Sequence, residues 1–342
     1  MTFFPDVGNN PTLHDFMQAL GPNDSVSQLG ELLNQTNQLL DNMSWTEGNL
    51  LTGHRFVQRT GLPSPTWRRL YEGVLPTKST RAQISASTGM LETYSEVDKA
   101  LADLAGNAAA FRLQEDKAEI EGFTQKVTQA IIYESEESNT AAITGFAAHY
   151  DSVSGNIGDQ VINGGGTGTD NASIYLVGWA PNTVYGIFPK GSKAGLQMTD
   201  KGQVTATALA SDGTTTGMYE AYRTHYRWDL GLVVQDYRYV VRIANIDRSL
   251  LGADPTASGY SGANLPDLMF QAMEFLPSLE NCRPVFYMDR TVLTMLRRQL
   301  PNCVKNSTLT TEMVGGKRVT SFQEGIPINR IDQMKVDEAR VV

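Results

Sequence analysis

The sequence predicts an α+β chain, and three observations carry that prediction. Tyr219 to Arg248 form one aromatic and basic run that reads as two long strands; Asn107 to Tyr133 reads as one uncommonly long helix; and from Pro266 onward helix and strand signals alternate in an α/β tail. Within the second strand of the run, Tyr237, Tyr239, Val241 and Ile243 fall on one face. Arg238, Val240, Arg242 and Ala244 fall on the other, the period of two expected of a half-buried strand. The Arg-bearing face then has to meet carboxylates, water or another chain. Strands longer than the usual five or six residues suit a girder better than a catalytic scaffold.

Composition sets outer limits. At 342 residues the chain can bury a sizeable core and divide into two or more units. With 37 acidic against 28 basic side chains its net charge is -9, which argues against a nucleic-acid reader with a general basic footprint. Cys282 and Cys303 lack the CxxC spacing of a zinc or redox site, which fits a reducing compartment and leaves a disulfide between them open. The start, Met-Thr-Phe-Phe-Pro-Asp, has neither a basic nor an apolar leader region, and no run reaches the length of a membrane span. The expectation is a soluble, intracellular product.

Along the chain, residues 25 to 43 place Leu29, Leu32, Leu33, Leu39, Leu40 and Met43 at helical spacing with Asn and Gln opposite. This is an amphipathic helix without a partner of its own. From Gly53 to Leu91, two strand-like stretches, His54 to Thr60 and Arg81 to Ser87, flank Pro63, Pro65 and Pro76. They describe a long hairpin whose arms reach on the order of 30 Å at the rise of an extended chain. A lone two-stranded hairpin is marginal in water, so its natural stabiliser is a neighbouring subunit. Arg68, Arg69 and Arg81 read either as solvated cations or as arms that pair with acidic groups across an interface. Trp67 and Tyr71 beside them favour the second reading, because Trp, Tyr and Arg concentrate in interface hot spots.

Asn107 caps the long helix, whose apolar stripe is Leu113, Ile120, Phe123, Val127, Ala130 and Ile131, with Glu115, Glu119 and Lys126 outside. It spans about 40 Å, a spine rather than a local element. A flexible loop from Asn163 to Asn171 precedes strands at Ser173 to Trp179 and Thr183 to Phe188. Pro266 starts a helix with Leu268, Met269, Ala272 and Leu276 on its core face, and Pro277 ends it. Pro284 to Met288 is a strand, Asp289 caps a helix carrying Val292, Leu293 and Leu296, and Pro301 stops it.

Catalytic signals are weak. Gly186 and Gly191 have phosphate-loop spacing, but Ser192 stands where the loop requires Lys. The Gly164 to Gly168 cluster lacks the preceding strand and later acidic partner of a dinucleotide site. Gly259-Tyr-Ser261-Gly-Ala263 resembles a nucleophile elbow, yet a loop precedes it where that turn needs a strand. His14, His54, His149 and His225 are scattered, without a metal-binding pair. Glu134, Glu136 and Glu137 read as a solvated helix end, or as a site for a cation from another subunit. No catalytic, cofactor-binding or metal-binding residues are expected. The rival reading is a serine hydrolase using Ser261 with His225.

The order of elements, together with Ser173-Ile-Tyr-Leu-Val-Gly-Trp179, Gly186-Ile-Phe-Pro-Lys-Gly-Ser-Lys-Ala-Gly195-Leu196, Tyr222-Arg-Thr-His-Tyr-Arg-Trp-Asp-Leu-Gly-Leu232 and Val241-Arg-Ile-Ala-Asn-Ile-Asp247, resembles the major capsid proteins of tailed bacteriophages with the Hong Kong 97-type fold. The resemblance spans nearly the whole chain. It implies an N-terminal arm at 1–50, an extended hairpin or E-loop at 51–95, a peripheral domain at 96–262 with its spine helix at 108–133, and a mostly axial domain at 263–342. Here the long strands precede the terminal helices, which suggests a permuted topology of the same architecture. The implied function is an icosahedral head shell of hexamers and pentamers enclosing double-stranded DNA without reading its sequence, with no membrane involved. The implied partners are other copies of the chain, a separate scaffolding protein and a portal, with a decoration protein left open. Assembly is expected in the bacterial host cytoplasm, and the product in the virion. The resemblance makes Leu29, Leu33, Leu40, Trp67, Arg68, Arg69, Tyr71 and Arg81 candidates for contacts between subunits. Lys78 lies in the hairpin, but no motif identifies a partner for a covalent cross-link. A tail or decoration protein is the other structural alternative.

Overall fold

The computed structural model describes residues 38–104, 106–154, 157–209, 215–303, 310–314, 317–322 and 325–342. A short helix α1 (Leu39–Asn42) and strand β1 (Trp45–Glu47) lead into a hairpin of β2 (Gly53–Gly61) and β3 (Thr80–Ser87). Strand β4 (Gly89–Asp98), helix α2 (Lys99–Leu104), the long helix α3 (Ala108–Tyr133) and the short α4 (Phe146–His149) follow. The middle of the chain is β5 (Val161–Asn163), β6 (Asn171–Trp179), β7 (Val184–Phe188), β8 (Gln197–Leu209), β9 (Thr215–Val234) and β10 (Val240–Asp247). The remainder alternates α5 (Leu265–Glu274), β11 (Arg283–Met288), α6 (Arg290–Cys303), β12 (Thr310–Val314), β13 (Lys317–Ser321) and β14 (Pro327–Arg330). Two compact units result, one from Met90–Val127 with Gly195–Trp228, the other from residues 38–89, 128–194 and Asp229–Val342.

In the larger unit β6 is the central strand, antiparallel to β10 on one edge and to β11 on the other. Strand β11 continues through the parallel β14 to the β12–β13 hairpin. All nine residues of β6 are buried because both faces of the sheet are covered. On one face Ile174, Leu176, Val241, Ile243 and Phe286 pack with Met269 and Ala272 of α5 and Val292 and Leu296 of α6, residues that helical spacing sets on one stripe. Thr291 N donates to Asp289 Oδ2 at 2.6 Å, so the expected cap of α6 is made. On the other face Tyr175 meets Phe146 of α4, with ring centroids 6.0 Å apart.

That second face also holds a buried polar centre. Arg242 Nη2 donates to Glu338 Oε2 at 2.8 Å and Arg242 Nη1 to Tyr150 O at 2.7 Å. Tyr133 Oη, at the end of α3, donates to Glu338 Oε1 at 2.6 Å, and Ser173 Oγ donates to Glu338 Oε2 at 2.5 Å. Burial, with the Glu338 carboxylate next in weight, pushes the Tyr133 phenol far above its ordinary range and keeps it a donor. The carboxyl-terminal residues are strapped down beside this centre, where Asn245 brackets Val341 with two hydrogen bonds of 2.8 Å.

The smaller unit pairs β8 with β9 over a long antiparallel ribbon, Gln197 opposite Arg227 through Leu209 opposite Thr215, with β4 beside β9. Its apolar cluster is small: Val97, Leu101, Ala102 and Phe111. Polar pairs add to the contact of the helix's first half, including Arg112 Nη2 to Asp200 Oδ1 at 2.7 Å and Thr93 Oγ1 to Glu119 Oε2 at 3.1 Å.

Four sequence expectations change. Tyr237–Tyr239 is a 3-10 turn, capped by Asp236 accepting from Arg238 N at 3.1 Å, so β10 starts at Val240. Strand β10 is buried on both faces, because α5 and α6 cover one and α4 with the carboxyl-terminal strap covers the other. Along α3 the predicted stripe splits: Phe123, Val127, Ala130 and Ile131 are buried, while Leu113 and Ile120 are exposed, at 59% and 37%. Helix α6 runs through Pro301 to Cys303, since a proline in the last turn costs one backbone bond but does not end the helix. Of the amphipathic helix predicted over 25–43, only Leu39–Asn42 lies within the described residues, with Leu39 buried and Leu40 half-buried. Leu29 and Leu33 lie outside them.

Candidate intersubunit surface

The β2–β3 hairpin is paired from Gly53 opposite Ser87 to Arg59 opposite Arg81, with an irregularity before Gly61 meets Thr80. Phe56, Val57 and Thr60 in β2 and Thr80 and Ile84 in β3 are strand formers, and Gly53 is required at the base, where a Cβ would come 2.2 Å from Ala86 O. Among the described residues only the base is seated on the rest of the unit. Phe56 packs with Tyr185, Ile187 and Val233, and Asn49 clamps the backbone of Arg55 with bonds of 2.6 and 2.7 Å. Gln58 Nε2 donates to Gln235 O at 3.0 Å, and Ser87 Oγ to Glu136 Oε2 at 2.9 Å.

Beyond the base the hairpin is bare. Residues 62–79 form an irregular tip in which Trp67, Tyr71, Leu70 and Leu75 are 102%, 103%, 83% and 84% exposed. Burying any one of these side chains is worth roughly 1.5–3 kcal/mol, a gain the isolated chain forgoes. Glu72 N donates to Arg69 O at 3.2 Å, closing a turn that holds Tyr71 at φ 67°, a conformation turns usually give to Gly or Asn. The tip thus presents an aromatic side chain in a fixed, outward turn.

Charge points the same way. Residues 53–87 carry Arg55, Arg59, Arg68, Arg69, Lys78 and Arg81 against Glu72 alone, a net +5 in a chain of net charge -9. Arg59 and Arg81 stand directly opposite each other and exposed, a like-charge pairing that destabilises a hairpin until an anion joins it. The structure therefore brings Trp67, Arg68, Arg69 and Tyr71 together on one tip and places Arg81 with Arg59 where the strands leave it.

Beneath the base lies a cavity of about 220 Å³, lined by Phe56, Ile84, Leu232, Val234, His149 and Glu136 among others. Two half-buried imidazoles flank this seat. His54 Nδ1 accepts from Asn49 N at 3.3 Å, and its ring meets Tyr185 edge-on at 5.9 Å. His149 lines the cavity itself, and burial holds both imidazoles below their usual basicity.

The other sequence candidates have structural explanations. A Cβ on Gly186 would meet the Trp45 ring at 2.7 Å, so this glycine serves a close strand crossing. Ser261 is exposed in the loop between β10 and α5, with no strand leading into it, and Tyr260 Oη beside it is taken up by Gln299 and Ala263. His225 stacks on Tyr94 at 4.5 Å with Glu92 at 3.4 Å. Glu136 is used by Ser87 of the hairpin. Cys282 is a free thiol, pushed up to about 11 by burial. Among the described residues no group of three His, Cys, Asp or Glu side chains is placed to hold a metal ion.

Sequence reasoning placed β8 in a β-rich stretch running to Asp247 without delimiting it, and so did not find the long ribbon it makes with β9. Its signals were the alternating Val204-Thr-Ala-Thr-Ala208 and the Asp212-Gly213 pair that follows.

Comparison with known proteins then places the chain. No curated protein sequence matches it significantly. A chain in the near-atomic structure of bacteriophage Epsilon15 superposes with a TM-score of 0.76 at 31% identity, covering 100% of both chains. The bacteriophage JBD30 capsid gives a TM-score of 0.43 at 10% identity over 90% of this chain and 95% of that one. The SrpI encapsulin of Synechococcus elongatus PCC 7942 gives 0.43 at 11% identity over 66% and 92%. These two scores are too low to add to the assignment. Residues 21–342 match the family model described as major capsid protein GP7, and with the full-length likeness to the Epsilon15 chain this shows that the chain belongs to that family of phage major capsid proteins.

Proposed function

We propose that the hairpin is the clasp by which copies of this chain join into the shell. A major capsid protein is a virion component that builds its shell from many copies of itself. The observation that carries the finer reading is the bare hairpin tip, apolar, aromatic and basic, on an otherwise acidic chain. In the proposed assembly, hexamers and pentamers close an icosahedral head around double-stranded DNA, and the tip of each hairpin lies on a neighbouring copy. Residues 1–50 act as an arm, 51–95 as the E-loop, 96–262 as the peripheral domain and 263–342 mostly as the axial domain. Leu29, Leu33, Leu40, Trp67, Arg68, Arg69, Tyr71 and Arg81 are the proposed contact residues.

An acidic subunit suits a container better than a DNA reader, since free DNA binding draws on clustered Lys and Arg that neutralise phosphates. The reading includes a separate scaffolding protein, a portal and room for a decoration protein, with assembly in the host cytoplasm. It assigns no enzymatic step to Ser261. The test is negative-stain microscopy with size-exclusion chromatography of the chain expressed alone and with its neighbouring genes. Closed shells, hexamers or pentamers are expected, and their loss in a Trp67→Ala, Tyr71→Ala variant that still folds. A monodisperse monomer under every condition overturns the reading.

A further inference from the structure

We propose that the seat of the β2–β3 hairpin is acid-labile: His54 and His149 hold the hairpin down only while both imidazoles are neutral, so protonation releases it. Two independent geometries carry this. At the hairpin's first turn of strand, His54 Nδ1 accepts a hydrogen bond from Asn49 N at 3.3 Å, and a protonated Nδ1 cannot accept. The same Asn49 clamps Arg55, so that bond belongs to the joint between the chain entering the hairpin and β2 itself. Below the hairpin, His149 lines a cavity of about 220 Å³ whose roof is the hairpin's own Phe56, Ile84 and Ala86. An imidazolium there needs water or a counter-ion, and the space admits several waters. Water entering would separate the roof from the Leu232 and Val234 floor.

The surroundings of each imidazole decide whether protonation is opposed. Lining the same cavity as His149 are Tyr150 next to it, Glu136 and Thr144 from the loop after α3, Tyr237 from the 3-10 turn, and apolar or neutral side chains of β2, β3 and β9. Arg242, reaching the carbonyls of Ala147 and Tyr150, stands behind the same helix with its charge paired to Glu338. Asp236 lies beyond Tyr150 and Tyr237. Among the described residues Glu136 is the one carboxylate on the cavity wall, and it already accepts from Ser87 Oγ at the foot of β3. A charged His149 that recruits Glu136 would therefore take it from Ser87 and weaken the same joint. Facing His54 are Tyr185 and Phe56, neither anionic near neutrality, its cross-strand partner Ala86, and the adjacent cation Arg55. Among the described residues, burial, and no carboxylate, sets the basicity of His54.

The sign follows from the direction of both shifts. A His whose seated form is less basic than its released form leaves the seat unpenalised above the released value near 6.5. The penalty grows as pH falls below that value, and stops growing below the seated one. At pH 5.5 a fully blocked His shifts the seated–released equilibrium by up to about tenfold.

The test is hydrogen exchange by mass spectrometry on the purified full-length chain, assembled or not, at pH 7.5 and 5.5 with correction for intrinsic rates. Peptides covering 53–61 and 80–87 are expected to lose about tenfold or more protection at pH 5.5, while the central strand 171–179 keeps its own. The His54→Asn, His149→Gln double variant, which retains a neutral acceptor at each place, is expected to keep the hairpin protected at both pH values. Unchanged hairpin protection in the wild type, or equal acid loosening in the double variant, overturns the proposal. Protection of 171–179 reports whether the variant folds, and the single variants replace it if it does not. Because the readout is hairpin protection and not shell formation, a failure here is distinct from a failure of the assembly reading.

Discussion

Arg242 and Glu338 form an ion pair at 2.8 Å with both side chains almost wholly buried, at 5% and 6% exposure, tying the central sheet to the carboxyl-terminal strap. Taking two charges out of water is costly, and the pair is tolerated because its spare valences are filled by Tyr133, Ser173 and the Tyr150 carbonyl. Glu338→Ala leaves a buried guanidinium uncompensated, with an expected loss of about 3–5 kcal/mol in denaturant unfolding. The Arg242→Met, Glu338→Leu double variant is expected to lose much less than the sum of the single changes. Additive losses would mean that the two groups do not act as a unit.

The hairpin tip should behave in the opposite way. Trp67 and Tyr71 touch little of their own chain, so Trp67→Ala with Tyr71→Ala should change subunit stability by less than about 0.5 kcal/mol, as for other surface positions. The same change should sharply reduce shell yield at a fixed protein concentration. A drop in subunit stability with unchanged assembly would place the tip's contacts within its own chain.

Opposed arginines give a third expectation. Arg59→Glu turns the Arg59–Arg81 repulsion into attraction, so it should stabilise the hairpin by roughly 0.2–1 kcal/mol, read as slower exchange of its amides. It also lowers the hairpin's positive charge, so assembly should slow. Wild-type assembly should slow too as salt is raised from low to high concentration, because exposed charges are screened within about 10 Å at 0.1 M. Assembly rates indifferent to salt and to Arg59→Glu would remove electrostatic steering from the account.

Much of the architecture was legible because local signals and tertiary structure agree. His54 to Thr60 and Arg81 to Ser87 lie within β2 and β3, and Asn107 caps α3 by accepting from Ala110 N at 3.1 Å. The α5 and α6 stripes face the sheet as their spacing requires. The extent of strand β8 was hidden because Asp200-Lys-Gly202 reads as a turn, whereas Gly202, at φ 68°, sits at a bulge within a continuous ribbon. Arg242 was placed on a face that had to meet carboxylates, water or another chain; it meets Glu338, 96 residues further along, a pairing that no local pattern encodes. The hairpin's candidate contact residues rest on residue type and on the family resemblance, and the structure adds that Trp67 and Tyr71 are fully exposed.

Helix α3 gives the last prediction. Periodicity put Leu113, Ile120 and Phe123 in one stripe, yet the first half of the helix meets its sheet through Phe111 and polar groups such as Arg112 and Glu119. Leu113 and Ile120 face outward, while Phe123 is 5% exposed and stacks on Trp228 with centroids 6.4 Å apart. Leu113→Gln should therefore cost less than about 0.5 kcal/mol. Phe123→Ala should cost about 3–5 kcal/mol through lost burial and the cavity left behind. Arg112→Leu should be destabilising despite adding apolar surface, because it leaves Asp200 and Thr224 without their shared donor. Thermal or denaturant unfolding of the three variants ranks them directly. A larger loss for Leu113→Gln than for Arg112→Leu would mean that the apolar stripe, and not the polar face, holds the helix to its sheet.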